Sequence, residues 1–149
     1  SCTHSTRSST TPSATSKEFT DALATMSREL TRNTGVYARL KAAFPNGRIA
    51  HVGYPRITPR AGTSPYACLW LSRSDQTTAA AIVDQLNATI KAAAKLRGIS
   101  YVDVTNSLAG HELCTRQSWV RPILADGQAH PNATGQQVVA SAVRLALGA

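Results

Sequence analysis

The sequence contains no run of about 18 or more apolar residues, and its first residues are rich in Ser and Thr without an apolar stretch. A membrane-spanning helix and a secretory signal peptide both require such a stretch, so neither is visible in this sequence. The sequence begins at Ser1 rather than at Met, and we therefore expect a processed product or a segment of a longer chain. A length of 149 residues with 42% hydrophobic residues is typical of one globular domain.

Cysteine is also scarce. Cys2, Cys68 and Cys114 are the only cysteines, and none of them lies in a Cys-x-x-Cys pair, so we expect no zinc site, and nothing else in the sequence implies a metal or a cofactor. Their odd number leaves two alternatives open. An exported protein would form one disulfide and leave one cysteine over, whereas a protein that is not exported would keep three thiols.

The net charge of +8 arises from basic residues that are scattered along the chain. No run of about five or six basic residues occurs, and aromatic residues do not alternate with them, so we do not expect nucleic-acid binding. A basic surface equally suits an anionic lipid interface or an acidic polymer.

Periodicity predicts helices in the first third of the chain. Residues 1–16 are polar and predict a loop or a poorly ordered terminus, and the globular domain is expected over 17–149. A helix is predicted over 17–31, because apolar residues recur there at helical spacing and Thr15 with Glu18 has the spacing of a capping box. Gly35 then interrupts the helix before a second helical stretch that ends near Phe44.

The middle of the chain predicts a β-α-β unit. Residues 48–55 and 99–104 are short apolar runs typical of strands, and a helix over about 75–97, capped by Ser72 or Ser74, lies between them. This order implies parallel strands joined by a helical crossover. A last helix is predicted over about 134–147, with Thr134 and Gln137 as a capping box. Its buried face is expected to consist of Val138, Val139, Ala142, Val143 and Ala146.

The predicted sheet is short for an α/β domain. Such sheets usually have about four to six strands with helices on both faces, yet only two strands accompany the substantial helices here. Two explanations are open: further strands are hidden in 1–16 and 106–124, or the chain is the later part of a larger α/β domain.

His130 is the residue best placed for chemistry. Parallel α/β sheets bind ligands at the carboxyl ends of their strands, which here carry Tyr54-Pro55-Arg56 and Thr105-Asn106. The loop that contains His130 follows the second strand and can reach the same edge. An imidazole at such a position suits a general base, although a His-Pro pair in a loop is also a common structural turn.

The segments FPNGRIAHVGYPRITP, ISYVDV, AGHELC, SWV and AHPNATGQQVVA occur in a characteristic order and spacing over about 36–147. In this order the chain resembles the latter half of the SGNH (GDSL-like) hydrolases, in particular the secreted actinobacterial lipases and esterases. The resemblance implies a three-layer αβα, flavodoxin-like parallel sheet that is incomplete in this chain. It also implies secretion, an ester or lipid substrate, and hydrolysis by a serine nucleophile with His130 as the catalytic histidine.

Two motifs of that family are missing or altered. The Gly-Asp-Ser block with the nucleophile and the Gly-x-Asn-Asp block of the oxyanion hole are absent, so we expect the serine to come from an N-terminal half that these residues do not include. The family's Asp-x-x-His spacing would require an acid at 127, where Gly127 stands. Relatives with a similar sequence here use the main-chain carbonyl two residues before the histidine as the acceptor. The resemblance therefore implies that the Gln128 carbonyl is the acceptor for His130, and Asp126 is the alternative acid. We therefore expect a Ser-His dyad.

The resemblance also suggests structural roles. It implies a disulfide between Cys68 and Cys114, with two buried thiols as the alternative, and it matches Cys2 to a cysteine whose partner is missing. Trp119 and Val120 are expected to line an acyl pocket or, equally well, to pack in the core.

Other features are expected to be structural. We interpret His111 and Glu112 as loop residues rather than metal ligands, the glycosylation sequons at Asn87 and Asn132 as chance, and Arg56 as a loop anchor. The alternative overall function is a non-catalytic relative that binds a carbohydrate, a lipid or a protein partner.

Overall fold

The structure, a computed structural model, describes residues 14–60, 71–122 and 129–148. These residues form helices and a two-stranded parallel sheet in the order predicted from the sequence. The elements are α1 (Lys17–Thr31), α2 (Val36–Ala43), β1 (Ala50–Val52), α3 (Arg73–Leu96), β2 (Ser100–Val102) and α4 (Ala133–Leu147). Within the described ranges, none of the helices is long and apolar enough to cross a membrane.

Side-chain caps fix where α1 and α3 begin. The Ser16 hydroxyl accepts a hydrogen bond from the Phe19 N–H at 3.2 Å, so the cap of α1 is Ser16 and the predicted cap at Thr15 is wrong by one residue. At α3, Ser72 and Asp75 form a reciprocal capping box, which confirms Ser72 as one of the two predicted caps. The box starts α3 at Arg73, slightly earlier than expected.

The strands β1 and β2 pair in parallel, with Ala50 opposite Ser100 and Val52 opposite Val102. Since α3 lies between them in the chain, the predicted β-α-β unit is confirmed. Both strands are shorter than the apolar runs 48–55 and 99–104. At the carboxyl end of β1 the reason is visible, because the backbone of Tyr54 bonds to a side chain of α3 instead of to another strand.

Two apolar clusters hold the described residues together. The first lies where α1, α2 and α3 meet β2, and its buried members are Leu30, Tyr37, Ile90, Ala93, Ala94 and Ile99. The second lies under the loop that follows β2, and its fully buried members are Leu108, Leu113, Cys114 and Val120. Residues 106–122 therefore form a set of turns anchored by Leu108 and Leu113, and they contain no regular strand. Of the two explanations left open for the short sheet, hidden strands are therefore excluded for residues 106–122, and residues 1–13 and 123–124 lie outside the described ranges.

Helix α4 corrects one prediction. Of its expected buried face, Val138, Val139, Ala142 and Val143 are only partly buried and Ala146 is exposed. The physical reason is that α4 packs mainly on β2, and a two-stranded sheet is too narrow to cover an apolar stripe of this width.

A part-buried Tyr-His pair joins α2 to β1. The Tyr37 hydroxyl lies 2.7 Å from Nδ1 of His51, and the two rings meet edge to face with centroids 5.8 Å apart. Tyr37 is only 2% exposed. Burial lowers the pKa of His51 below its ordinary value and raises that of Tyr37, so burial favours the neutral form of each group.

We predict that His51 makes the free energy of unfolding decrease as the pH falls through the range just below about 6.5, the ordinary pKa of histidine. The unfolded chain takes up the His51 proton in that range, whereas the folded chain resists it, so protonation favours unfolding. Urea unfolding at a series of pH values would measure this slope. His51→Gln should flatten it, and an unchanged slope in that variant would contradict the prediction.

Candidate functional site

The predicted edge at the carboxyl ends of the strands is present. Beyond β1 and β2 the two segments stay together, because the Gly53 N–H donates to the Val102 carbonyl and the Arg56 N–H donates to the Thr105 carbonyl, both at 3.0 Å. The segments after the two strands therefore form one continuous edge.

The side chain of Asn87 in α3 forms three hydrogen bonds to this edge. Its amide oxygen accepts from the Tyr54 N–H at 2.8 Å, and its amide nitrogen donates to the Tyr54 carbonyl at 2.7 Å and to the Thr105 hydroxyl at 2.9 Å. The residue is only 5% exposed, so it is a buried structural amide, which agrees with interpreting its glycosylation sequon as chance. Gly53 permits the approach, since a Cβ there would lie 3.0 Å from the Asn87 amide oxygen.

Arg56, Asp84 and Asp103 near the edge all have hydrogen-bond partners. Arg56 donates to Asp84 and to Asn106, each at 2.6 Å, so it anchors two segments as expected. Asp103 accepts from the hydroxyl and the N–H of Thr105, and these hydrogen bonds hold its pKa below the ordinary value. These contacts stabilise the edge and engage its carboxylates.

The backbone around His130 pairs with that of Val120 and Arg121, which precede it in the chain. Val120 and Pro131 form an antiparallel bridge, and the Arg121 N–H donates to the His130 carbonyl at 2.9 Å. On the other side of His130, Ala129 adopts a left-handed conformation with φ of 56°. The imidazole-bearing turn is thus fixed by main-chain contacts, while His130 itself is exposed.

Asn132 fixes the turn to α4. Its side-chain oxygen accepts from the Gly135 N–H at 3.1 Å and caps the helix, and its side-chain nitrogen lies 3.3 Å from the Ser118 carbonyl. The predicted cap at Thr134 is therefore wrong, and the helix begins at Ala133. A Cβ on Gly135 would lie 2.6 Å from the Trp119 carbonyl, so glycine is needed for this close approach.

His130 lies on an apolar pocket with a volume of about 450 Å³, which we call the His130 pocket. Its walls come from the segment after β1, from α3, from the turn around His130 and from α4. The lining residues are Tyr54, Pro55, Ile57, Val83, Leu86, Ala129, His130, Pro131, Gln136, Val139 and Ala140. The fold therefore joins the predicted Tyr54-Pro55 edge to the predicted histidine.

The walls from α3 and α4 were not identified from the sequence. Val83, Leu86 and Val139 belong to helical apolar patterns, and such a pattern predicts burial without showing whether a core or a pocket covers it. The sequence contained one signal for these walls: the predicted helices have more apolar surface than two predicted strands can cover.

The residues predicted to bind substrate lie beside this pocket and do not line it. Val120 is only 3% exposed and belongs to the second apolar cluster. Trp119 stacks on His111 with ring centroids 3.6 Å apart and planes within 5°. Their role in acyl binding stays a prediction.

Several predicted features lie partly outside the described residues. Asp126, Gln128, Cys2 and Cys68 lie outside the described residues, so the two candidate acceptors for His130 and the disulfide stay predictions. Cys114, its expected second cysteine, is fully buried.

The neighbouring His111 and Glu112 have structural contacts. Nδ1 of His111 lies 2.8 Å from the Gln117 carbonyl, and the Glu112 carboxylate accepts from the Gly110 N–H at 2.8 Å. Among residues 14–60, 71–122 and 129–148, no group of three or more potential metal ligands is found.

Sequence comparison matches residues 6–138 to the model of the GDSL-like lipase/acylhydrolase family. Two curated relatives come from Streptomyces coelicolor: Lipase 1 is 33% identical over 105 residues and Lipase 2 is 34% identical over 115 residues. These matches cover 68% and 73% of this chain but only 38% and 39% of the relatives. The chain thus spans well under half the length of these curated proteins.

Comparison with solved structures also finds lipases that this chain matches over part of their length. An extracellular lipase from Streptomyces rimosus matches with a TM-score of 0.57 and 25% identity, over 82% of this chain and 56% of that structure. A phospholipase A1 from Streptomyces albidoflavus shares the fold with the same TM-score, at 23% identity. The predicted fold class is confirmed: this is the α/β fold of the SGNH hydrolases, of which the chain contains a part.

We predict that Asn132→Ala lowers the free energy of unfolding by about 1 kcal/mol, because α4 loses its side-chain cap. Asn132→Asp is the matched control, since it keeps the oxygen that caps Gly135 and loses only the donor to Ser118. Urea unfolding of both variants measures the difference. Equal destabilisation by the two substitutions would assign the effect to the Ser118 contact and contradict the capping role.

Proposed function

The chain belongs to the GDSL-like lipase/acylhydrolase family, and on that premise we propose that it supplies the general base of a carboxylic ester hydrolase. The base is His130. The observation that carries this proposal is the position of an exposed imidazole on a large apolar pocket at the carboxyl edge of a parallel sheet.

The fixed backbone of the His130 turn supports this role. A general base must keep its orientation while a proton moves, and orientation is better maintained when the main chain is anchored. Contacts to Arg121 and the bridge between Val120 and Pro131 provide that anchor, and the Asn132 cap joins it to α4. A simple surface turn would not need an adjoining apolar pocket.

The proposed reaction is acyl transfer through a serine. Nε2 of His130 takes the proton from a serine hydroxyl as its oxygen attacks the ester carbonyl, and the imidazolium then protonates the departing alcohol. Water repeats the sequence on the acyl-enzyme and releases the carboxylic acid. Nδ1–H of His130 would donate to the Gln128 carbonyl, which fixes the tautomer, and the alternative acceptor is the Asp126 carboxylate.

We propose that the serine and the oxyanion donors come from polypeptide outside these residues. The sequence has neither a Gly-Asp-Ser nor a Gly-x-Asn-Asp motif, and the chain covers only 38% and 39% of the curated lipases that it matches. The incompletely covered face of α4 supports the same view, because additional strands would cover it.

The apolar walls of the His130 pocket suit an ester or lipid with a hydrocarbon acyl group. We propose Trp119 and Val120 as residues that support this site, with Trp119 held by its stack on His111. Since one structural relative is an extracellular lipase, we also propose secretion, and with it the disulfide between Cys68 and Cys114.

The test is a fusion of this chain to the preceding part of Streptomyces coelicolor Lipase 1, in place of the segment that the chain matches. We expect the fusion to hydrolyse a p-nitrophenyl ester and His130→Ala to lower kcat/KM by about 10²- to 10⁴-fold. Arg144→Gln is the control and should leave the rate nearly unchanged, because Arg144 is exposed and does not line the His130 pocket.

Asp126→Asn in the same fusion separates the two acceptors. A main-chain acceptor predicts a change smaller than about tenfold, whereas a catalytic carboxylate predicts a loss of up to about 10⁴-fold. An active fusion that is insensitive to His130→Ala would contradict the proposed base and favour a non-catalytic binding role for the pocket.

A further inference from the structure

The acidic residues of this chain are unevenly distributed. No Asp or Glu occurs between Glu29 and Asp75, or between Asp84 and Asp103. The first stretch contains α2 and β1, and the second contains the last turns of α3 together with β2. Both stretches contain several lysines and arginines, so each is purely basic.

The fold brings these stretches together at the amino end of the sheet. Because β1 and β2 pair in parallel, with Ala50 opposite Ser100, the residues that precede them lie at the same end. A direct contact joins the stretches, since Nζ of Lys41 donates to the Arg97 carbonyl at 2.6 Å. A cavity of about 280 Å³ between them is lined by both, including Phe44, Ile49 and Gly98.

Among the described residues, no ion pair neutralises the positive charges at this end. Lys41 bonds to a carbonyl, and Arg97 bonds to the Asn33 amide oxygen at 3.3 Å, so both have uncharged partners. Arg48 and Lys95 are exposed, and neither has an ion pair in the described part of the chain. Of the acids that flank these stretches, Glu29 is paired with Arg32 at the end of α1, and Asp103 follows β2 at the carboxyl end of the sheet.

Two large apolar side chains lie among these charges. Phe44 is 59% exposed and Leu96 is 73% exposed. We call the set the amino-end patch, and its members are Lys41, Phe44, Arg48, Lys95, Leu96 and Arg97. Basic residues that surround exposed aromatic and aliphatic side chains match an anionic membrane surface, where cations meet phosphate headgroups and apolar groups enter the interface.

We propose that the amino-end patch is a docking surface for an anionic phospholipid membrane. The patch lies at the opposite end of the sheet from the His130 pocket, so it would attach the protein to a membrane without occupying that pocket. It does not depend on the proposed ester hydrolysis. A flexible polyanion would use the same charges, but it has no apolar interior to receive the exposed side chain of Leu96.

The first test measures binding of the chain to phosphatidylcholine vesicles with and without phosphatidylglycerol. We expect binding only to the anionic vesicles, and its loss when the salt concentration is raised. The double variant Arg48→Gln/Lys95→Gln should weaken this binding by roughly fivefold per residue. The control Arg116→Gln/Arg144→Gln removes the same charge from exposed positions elsewhere, and it should change binding by much less.

The second test separates a membrane from a polyanion. Phe44→Ser/Leu96→Ser should weaken binding to anionic vesicles and leave binding to heparin unchanged, because only the membrane accepts apolar side chains. Circular dichroism would establish that each variant keeps its helices. Three results would each overturn the proposal. The two charge variants could weaken binding equally, the chain could bind vesicles without phosphatidylglycerol, or the apolar variant could bind anionic vesicles as well as the unmodified chain.

Discussion

The three hydrogen bonds made by the Asn87 side chain are the contacts on which the site depends. They join α3 to the backbone after β1 and to the side chain after β2, so one amide determines where two segments of the carboxyl edge lie. An apolar residue at this position would remove the partners of the Tyr54 N–H and carbonyl at a part-buried edge. The cost reaches about 1–3 kcal/mol for a group that is fully shielded from water and is smaller where water replaces the lost partner. The Asn87 hydrogen bonds position Tyr54 and Pro55, which form one wall of the His130 pocket.

The opposite wall of the His130 pocket depends on the local contacts of the turn before α4. His130 occupies a turn between an antiparallel bridge and a capped helix, and Gly135 lets the first turn of α4 approach the Trp119 carbonyl. The pocket thus lies between two separately anchored units, one built on α3 and the other on α4. Such a site keeps its shape through hydrogen bonds in both walls rather than through a continuous core beneath it.

Local patterns in the sequence predicted the helices and the parallel unit well. Capping and apolar spacing gave α1 and α3 to within about two residues, because Ser16 and Ser72 act through contacts only three residues away. The cap of α4 was misplaced because Asn132 and Thr134 both suit a cap, and sequence spacing alone does not choose between them. The structure has Asn132 as the cap, and its side chain also contacts the Ser118 carbonyl. Burial of α4 was overestimated for a similar reason: periodicity identifies an apolar face but not the surface that covers it. The pocket beside His130 could not be predicted, since it needs the positions of α3 and α4 together.

The central claim is that this chain holds the base of an ester hydrolase and that its nucleophile lies elsewhere. Labelling of the purified chain with a fluorophosphonate tests it most directly, because the reagent modifies a serine only when a neighbouring base activates it. We predict no adduct on this chain, detected as an unchanged intact mass. A stoichiometric adduct on one of its own serines, lost in His130→Ala, would contradict the claim.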